Sequence, residues 1–175
     1  GHQVKLNAFS IARFEHTAIL GHNGSGKTAL AAIISGDHAV DNSNIHLNAS
    51  VVRVSVKQQQ ALIEAEKQKD SADILDIIPV PTTVREILFA DINPEIIDRE
   101  LQERLLDIFK LNELLDRPFR ALSSGETRKL LLSRGLLADP ELLILDDPWD
   151  GLDTATCQSF NDLLCEQASR MTMLF

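Results

Sequence analysis

Apolar residues recur along this chain in two rhythms, short unbroken runs and longer helically spaced stretches. The run "HTAIL" (16–20) stops at a glycine and predicts a buried strand. Residues 27–35, "KTALAAIIS", combine helical spacing with good helix formers and end at Gly36, a C-terminal stop signal, so they predict a helix. "VVRVSV" (51–56) is β-branched and predicts a second strand. The charged stretch 61–73 reads as a solvated helix or loop. Within 77–94 a threonine precedes an apolar-periodic helix. Residues 94–111 then place apolar side chains at 96, 97, 101, 105, 108 and 109, the spacing of an amphipathic helix. Further on come a helix over 125–138, a buried strand over 141–147 ending in two acids, a helix from Thr154 to Ser169, and a strand beginning in "MTMLF". Alternating strands and helices predict an α/β fold, a parallel sheet flanked by helices, with the helical region 77–122 inserted into it.

Composition narrows this only a little. A chain of 175 residues with 44% hydrophobic content can bury a core. Its net charge of −9 argues against a nucleic-acid grip by bulk electrostatics, so nucleic acid is not the expected partner. No run is long enough to cross a bilayer, and Cys157 and Cys165 lack ligand spacing, so they are expected to be reduced thiols in a cytoplasmic protein. Both ends look abrupt, which predicts a fragment of a longer protein with Gly1 and His2 as a cloning remnant.

Chemistry enters at "GHNGSGKT", Gly21 through Thr28, which fits G-x-x-x-x-G-K-[ST] with a predicted strand before it and a helix after. Glycines at 21, 24 and 26 let successive backbone N–H groups turn inward around a phosphate, with His22, Asn23 and Ser25 completing the loop. The helix starting near Gly26 aims its dipole at the same anion. Lys27 then meets the β- and γ-phosphates of a nucleotide, and the Thr28 hydroxyl ligates Mg²⁺. The alternative, a glycine turn beside a chance lysine, needs a coincidence found in roughly one chain in a hundred of this length. In "LLILDDPWDGLD" (142–153) an apolar strand delivers Asp146 to the carboxyl edge of the sheet, where it can hold the Mg²⁺ shell. Asp147 follows as a candidate general base for an attacking water, with a solvated acid as the plain alternative. "LSSGETRK" (122–129) could be a second anion cradle of the Ser123 hydroxyl and the Gly125 amide, or an ordinary N-cap with a glutamate in the first turn.

Taken in order, these segments resemble the nucleotide-binding domain of ABC ATPases. "GHNGSGKT" stands as Walker A, Gln58 in "SVKQ" as the Q-loop glutamine, "LSSGE" as the signature, "LLILDD" as Walker B and "DGLD" as the D-loop. Among these the chain looks most like the first half of the tandem ATPases of molybdate transport and photorepair. The resemblance implies one ATP-binding domain over 1–175, with a RecA-like P-loop NTPase core (1–76 and 123–175) and a helical subdomain (77–122). It implies ATP and Mg²⁺ as cofactors, with Thr28, Asp146 and Gln58 around the metal. It implies head-to-tail pairing with a second such domain, in the same chain or in a homodimer, so that this signature serves the partner's nucleotide. A membrane permease would be a separate chain, the domain sitting at the inner face of the membrane. Three departures stand out. Asp147 replaces the usual glutamate, which predicts slow hydrolysis or a degenerate half that only holds ATP. Ser124 replaces a usual glycine. The switch histidine and the adenine-stacking aromatic have no counterpart in these residues. Trp149 is expected to pack at a surface, and His22 to fill a variable position of the loop.

Overall fold

The computed structural model describes residues 10–37, 48–72 and 81–175. Three parallel strands, β1 (Val51–Val54), β2 (Leu142–Leu145) and β3 (Thr172–Leu174), pair in the spatial order β1-β2-β3. The register sets Arg53 beside Ile144 and Ile144 beside Leu174. Every residue of β2 is buried, which explains its unalternating "LLIL": a strand covered on both faces has no polar side to show. Thr17 extends the same parallel pairing beyond β3. Its amide donates to the Met173 carbonyl at 3.0 Å, and its own carbonyl accepts from Phe175 at 2.9 Å.

Helices cover both faces. On one, α1 (Lys27–Ile34) packs Ala31 against Leu142, Ile144 and Leu174. On the other lies the larger core, where α5 (Ser124–Leu137) contributes Leu130, Leu132 and Leu136, and α6 (Thr154–Gln167) contributes Phe160 and Leu163. Helix α5 is buried almost all round. Its glycine at 135 allows that depth, because a Cβ there would come within 2.7 Å of Val54 Cγ2. Helix α2 (Val56–Ala72) follows β1 directly, while α3 (Val84–Phe89) and α4 (Arg99–Ile108) sit beneath α5 with two short 3-10 turns after them. An Arg104–Glu166 fork and an Arg170–Asp98 ion pair at 2.6 Å tie α4 to α6 and to the loop before β3.

Capping explains most boundaries. Thr83, Asp98, Ser123 and Asp153 each accept a backbone N–H of their own helix, and Thr83 and Ser123 form complete capping boxes with Glu86 and Glu126. The amphipathic helix expected from 94 therefore starts only at Arg99: Asp98 caps it, and Ile96 is left exposed. The strand expected over 51–56 ends at Val54, because Ser55 turns the chain and accepts from the Gln58 amide at 3.3 Å. The buried strand expected at 16–20 is corrected to a single ladder position. Thr17 and Ile19 are half-buried, and Leu20 is 90% exposed, since nothing among the described residues covers its outer side. The stretch 61–73 is helical as far as Ala72. Residues 77–80 of the expected helical insertion lie outside the described residues.

Two stability predictions follow from this packing. Gly135→Val forces a branched side chain into Val54, and unfolding in urea should show a loss of about 1–3 kcal/mol. The Thr83 amide holds the Glu86 carboxyl below its usual range, and the Ser123 amide does the same to Glu126. A lowered pKa means the folded state binds fewer protons, so this stabilisation is present at neutral pH and is lost as pH falls through the carboxylate range. Glu86→Gln, which can still close the box, should flatten the decline of melting temperature between about pH 5 and pH 3.

Candidate active site

The turn from the Thr17 segment into α1 is built from glycine conformations. Gly24 and Gly26 have φ of 81° and 98°, a region that favours glycine. A Cβ on Gly21 would lie 2.5 Å from Ser25 Oγ, so the loop closes only around a bare backbone there. Ser25 donates its amide to the His22 carbonyl at 3.1 Å. The helix that follows differs from its neighbours at its start. Where α3, α4, α5 and α6 each have a side-chain cap, α1 is capped by Gly26 with none. Its first amides and its dipole suit a phosphate in hydrogen-bonding and charge. Lys27 folds back into the loop, donating from Nζ to the carbonyls of Gly21 (2.8 Å) and His22 (3.2 Å). Asn23 sits exposed in the same turn.

Opposite this loop, β2 ends at Asp146. The Thr28 hydroxyl donates to Asp146 Oδ1 at 3.3 Å across 118 residues of sequence. Two hard oxygens meeting at a phosphate-binding turn suit Mg²⁺, which takes a few protein oxygens and fills its octahedron with water and phosphate. A cleft of about 50 Å³ brings Lys27, Asp146 and Asp147 together with Ile19, Ala31 and Phe175. Asp147 is exposed, and its backbone has φ 53°.

Gln58 lies elsewhere. It sits in the first turn of α2, its Oε1 buried and without a hydrogen bond, and it lines a larger cavity of about 440 Å³ with Ala90, Leu131 and Arg134. That cavity excludes Lys27, Thr28 and Asp146, so the chemistry is read from the smaller cleft rather than from the bigger space. The next glutamine, Gln59, is buried and donates from Nε2 to the Ser124 carbonyl at 2.8 Å, tying α2 to the start of α5.

At that start, the Ser123 hydroxyl is engaged in its own helix. It accepts from the Glu126 amide at 3.2 Å and donates to the Glu126 carboxylate at 2.7 Å. This is the N-cap arrangement that the S-x-x-E spacing allowed. Gly125 lies half-buried beside the Gly151 carbonyl of the "DGLD" turn. Trp149 stacks on Phe175 with ring centroids 5.6 Å apart and donates to Asn161 at 2.7 Å, so it packs against its own domain.

Two arginines belong to this site and were not singled out from sequence. Arg53 donates to Asp146 Oδ2 (3.1 Å), to Asp37 Oδ2 (3.0 Å) and to the Thr28 carbonyl (3.5 Å). Arg128 donates from Nη2 to the carbonyls of both Asp146 and Asp147 at 2.6 Å, holding the turn after β2. Burial pushes the Arg128 guanidinium down, and the charges of Asp150, Asp146 and Asp147 oppose that. The available signal was the charge itself: an arginine inside an apolar run, as in "VVRV", has to find partners.

Comparison with known proteins gives the family. The ABC transporter family matches residues 4–150. The chain is 39% identical over 165 residues to the ABC transporter ATP-binding protein ModF of Escherichia coli, covering 93% of this chain and 32% of that protein. It is 32% identical over 151 residues to the molybdate/tungstate import ATP-binding protein WtpC of Thermococcus kodakarensis, covering 85% of this chain and 44% of that one. The chain thus spans between a third and a half of the length of these relatives. Among solved structures it superposes with a TM-score of 0.63 on a metal-chelate type ABC transporter in an inward-facing conformation (24% identity, all of this chain and 68% of that one). A TM-score of 0.71 relates it to an archaeal ribosome recycling factor (21% identity, 94% of this chain and 29% of that one), a likeness of fold alone. With its phosphate loop, its strand-borne acid and its parallel sheet flanked by helices, the chain belongs to the ABC transporter family.

Proposed function

We propose that this chain binds ATP with Mg²⁺ and hydrolyses it as one half of a head-to-tail pair of such domains. The observation that carries the reading is the Thr28–Asp146 contact at the mouth of a glycine loop whose helix has no cap of its own. The loop amides of residues 21–28 and the α1 dipole hold the phosphates. Lys27 exchanges its two carbonyl partners for phosphate oxygens. Thr28 and Asp146 hold the metal, which when bound spreads the charge of the transferring phosphoryl group. Asp147 orients the attacking water.

The partner we propose is a second domain of the same family, in the same polypeptide or in a homodimer, receiving Ser123 and Gly125 against its nucleotide. For that, Ser123 would have to turn part of its hydroxyl away from Glu126. Any permease it serves would supply the membrane spans, and we place it in a separate chain; no helix among the described residues is long and apolar enough to cross a membrane. The domain would then work at the cytoplasmic face, residues 77–122 acting as the helical subdomain that senses the partner. Gln58 would reach the metal or the water only if the start of α2 moved, since it lines the other cavity.

A second reading has Asp147 in its favour: a half that retains ATP while its partner half turns over. An aspartate is one methylene shorter than the glutamate this position usually carries, and a base displaced by about 1 Å from its productive position can lose up to about a hundredfold in rate.

Two measurements test these readings. Lys27→Ala should weaken ATP binding about 10- to 100-fold in calorimetry, the value of one charge-assisted contact; unchanged affinity would remove the whole interpretation. Asp147→Glu should raise the turnover of the assembled protein at least about tenfold if the short base limits it. Unchanged turnover with long-lived bound ATP would assign the chain to the retaining half.

A further inference from the structure

The guanidinium of Arg53 occupies an unusual place. It sits on β1, in register with Ile144, facing α1 across the sheet, and its side chain is only 1% exposed. A single nitrogen, Nη2, touches both residues that would hold the metal, and it does so without using the atoms that face the metal. It takes Oδ2 of Asp146 and leaves Oδ1 to Thr28 and the cation; it approaches the main-chain carbonyl of Thr28 and leaves the hydroxyl free. The other terminal nitrogen, Nη1, is anchored by Asp37, just beyond the end of α1.

We propose, resting on the reading of Thr28 and Asp146 as metal holders, that Arg53 is a positioning residue for the Mg²⁺ site. It presents Asp146 through one oxygen and fixes the distance between α1 and the end of β2. Asp37 holds Arg53 in that pose. The physical reason is geometric. A carboxylate on a strand end can rotate about χ2, and a threonine at a helix start can shift with its helix. One planar fork, buried and held by a second carboxylate, restrains both. Partners of this outer kind commonly set metal affinity within a factor of 10–100.

A lysine cannot reproduce the fork, because its three donors radiate from one point and reach Asp37 and Asp146 only one at a time. Arg53→Lys keeps the charge and nearly the length, so both carboxylates keep a cation beside them. Asp37→Asn is milder still, because Asp37 is 40% exposed, and it loosens the anchor while leaving Arg53 in place.

The experiment is Mn²⁺ binding followed by electron paramagnetic resonance. It uses the full-length protein with the β,γ-imido analogue of ATP, and the Mn²⁺ abolished by Thr28→Val identifies this site. Binding of the same analogue is measured in parallel with EDTA and no metal. Arg53→Lys should weaken Mn²⁺ about tenfold while metal-free analogue affinity changes less than about twofold, and Asp37→Asn should fall between wild type and Arg53→Lys. A folded Arg53→Lys protein with wild-type or tighter Mn²⁺ binding overturns the proposal. So does a parallel fall in metal-free binding, which would mark Arg53 as a structural support only. The two levels of the argument separate cleanly. If the wild-type protein fails to bind the analogue, the proposed function falls and this inference with it. If the wild type binds Mn²⁺ and Arg53→Lys does so equally well, only the inference falls.

Discussion

A hydroxyl and a carboxylate 118 residues apart meet at 3.3 Å, and the rest of the molecule is arranged so that they can. Thr28 is the second residue of α1, which begins in a glycine loop fed by the Thr17 segment. Asp146 is the first residue past β2. For these to converge, the Thr17 segment and β2 must run parallel with their carboxyl ends at one edge, and β3 must lie between them to keep the spacing. A parallel sheet needs helical crossovers, and those crossovers cover both of its faces. The unbroken apolar "LLIL" is the consequence: the strand that carries the acid is buried along its whole length, and exposure begins only at Asp146.

Bringing acids to that edge creates a problem of charge. Asp146, Asp147 and Asp150 lie within five residues of each other. Without a ligand, their repulsion is offset by two arginines inserted from different elements. Arg53 comes from β1 and meets a side chain; Arg128 comes from α5 and meets main-chain carbonyls. Neither is free of cost. The Nε of each, and Nη1 of Arg128, are buried with no hydrogen-bond partner among the described residues, and burial disfavours the charged form of Arg128. Their placement makes sense if what they secure is geometry more than stability. Replacing buried ion pairs with apolar side chains often leaves a protein as stable, yet no apolar side chain could fix a carboxylate's orientation.

Much of this was legible in the sequence, and the reasons differ from element to element. The glycine loop was legible because φ values near +90° at Gly24 and Gly26 leave few residue choices, so the pattern is forced. The starts of α3 and α5 were legible because a capping box writes its two partners three residues apart. The residues 16–20 were misjudged for burial because an apolar run says what could be covered, never what covers it. The start of α4 slipped because Ile96 and Ile97 continue the helical period, although Asp98 ends it with a local hydrogen bond. Gln58 was placed by its motif, while the structure turns its side chain toward the space beside Arg134 and gives the link to α5 to Gln59. Three glutamines in a row carry no sign of which face each will take until the helix register is known.

The contrast between α1 and α5 is the last step. Both helices begin at a turn rich in glycine and serine, and a reading from composition alone would assign each an anion. At α1 the cap residue has no side chain and no side-chain cap is present among the described residues, so the first amides can donate to a phosphate. At α5 the Ser123–Glu126 box already engages the Ser123 hydroxyl and the Glu126 amide and holds a firmly ionised carboxylate beside them. A phosphate seeking the Ser123 hydroxyl must displace that box and face the Glu126 charge; one arriving at α1 meets an uncapped helix start and the Lys27 ammonium, which trades carbonyl partners for it. The two turns are therefore unequal within this one chain. The α1 turn presents an uncapped helix start beside a lysine, whereas the α5 turn is closed by its own serine and glutamate.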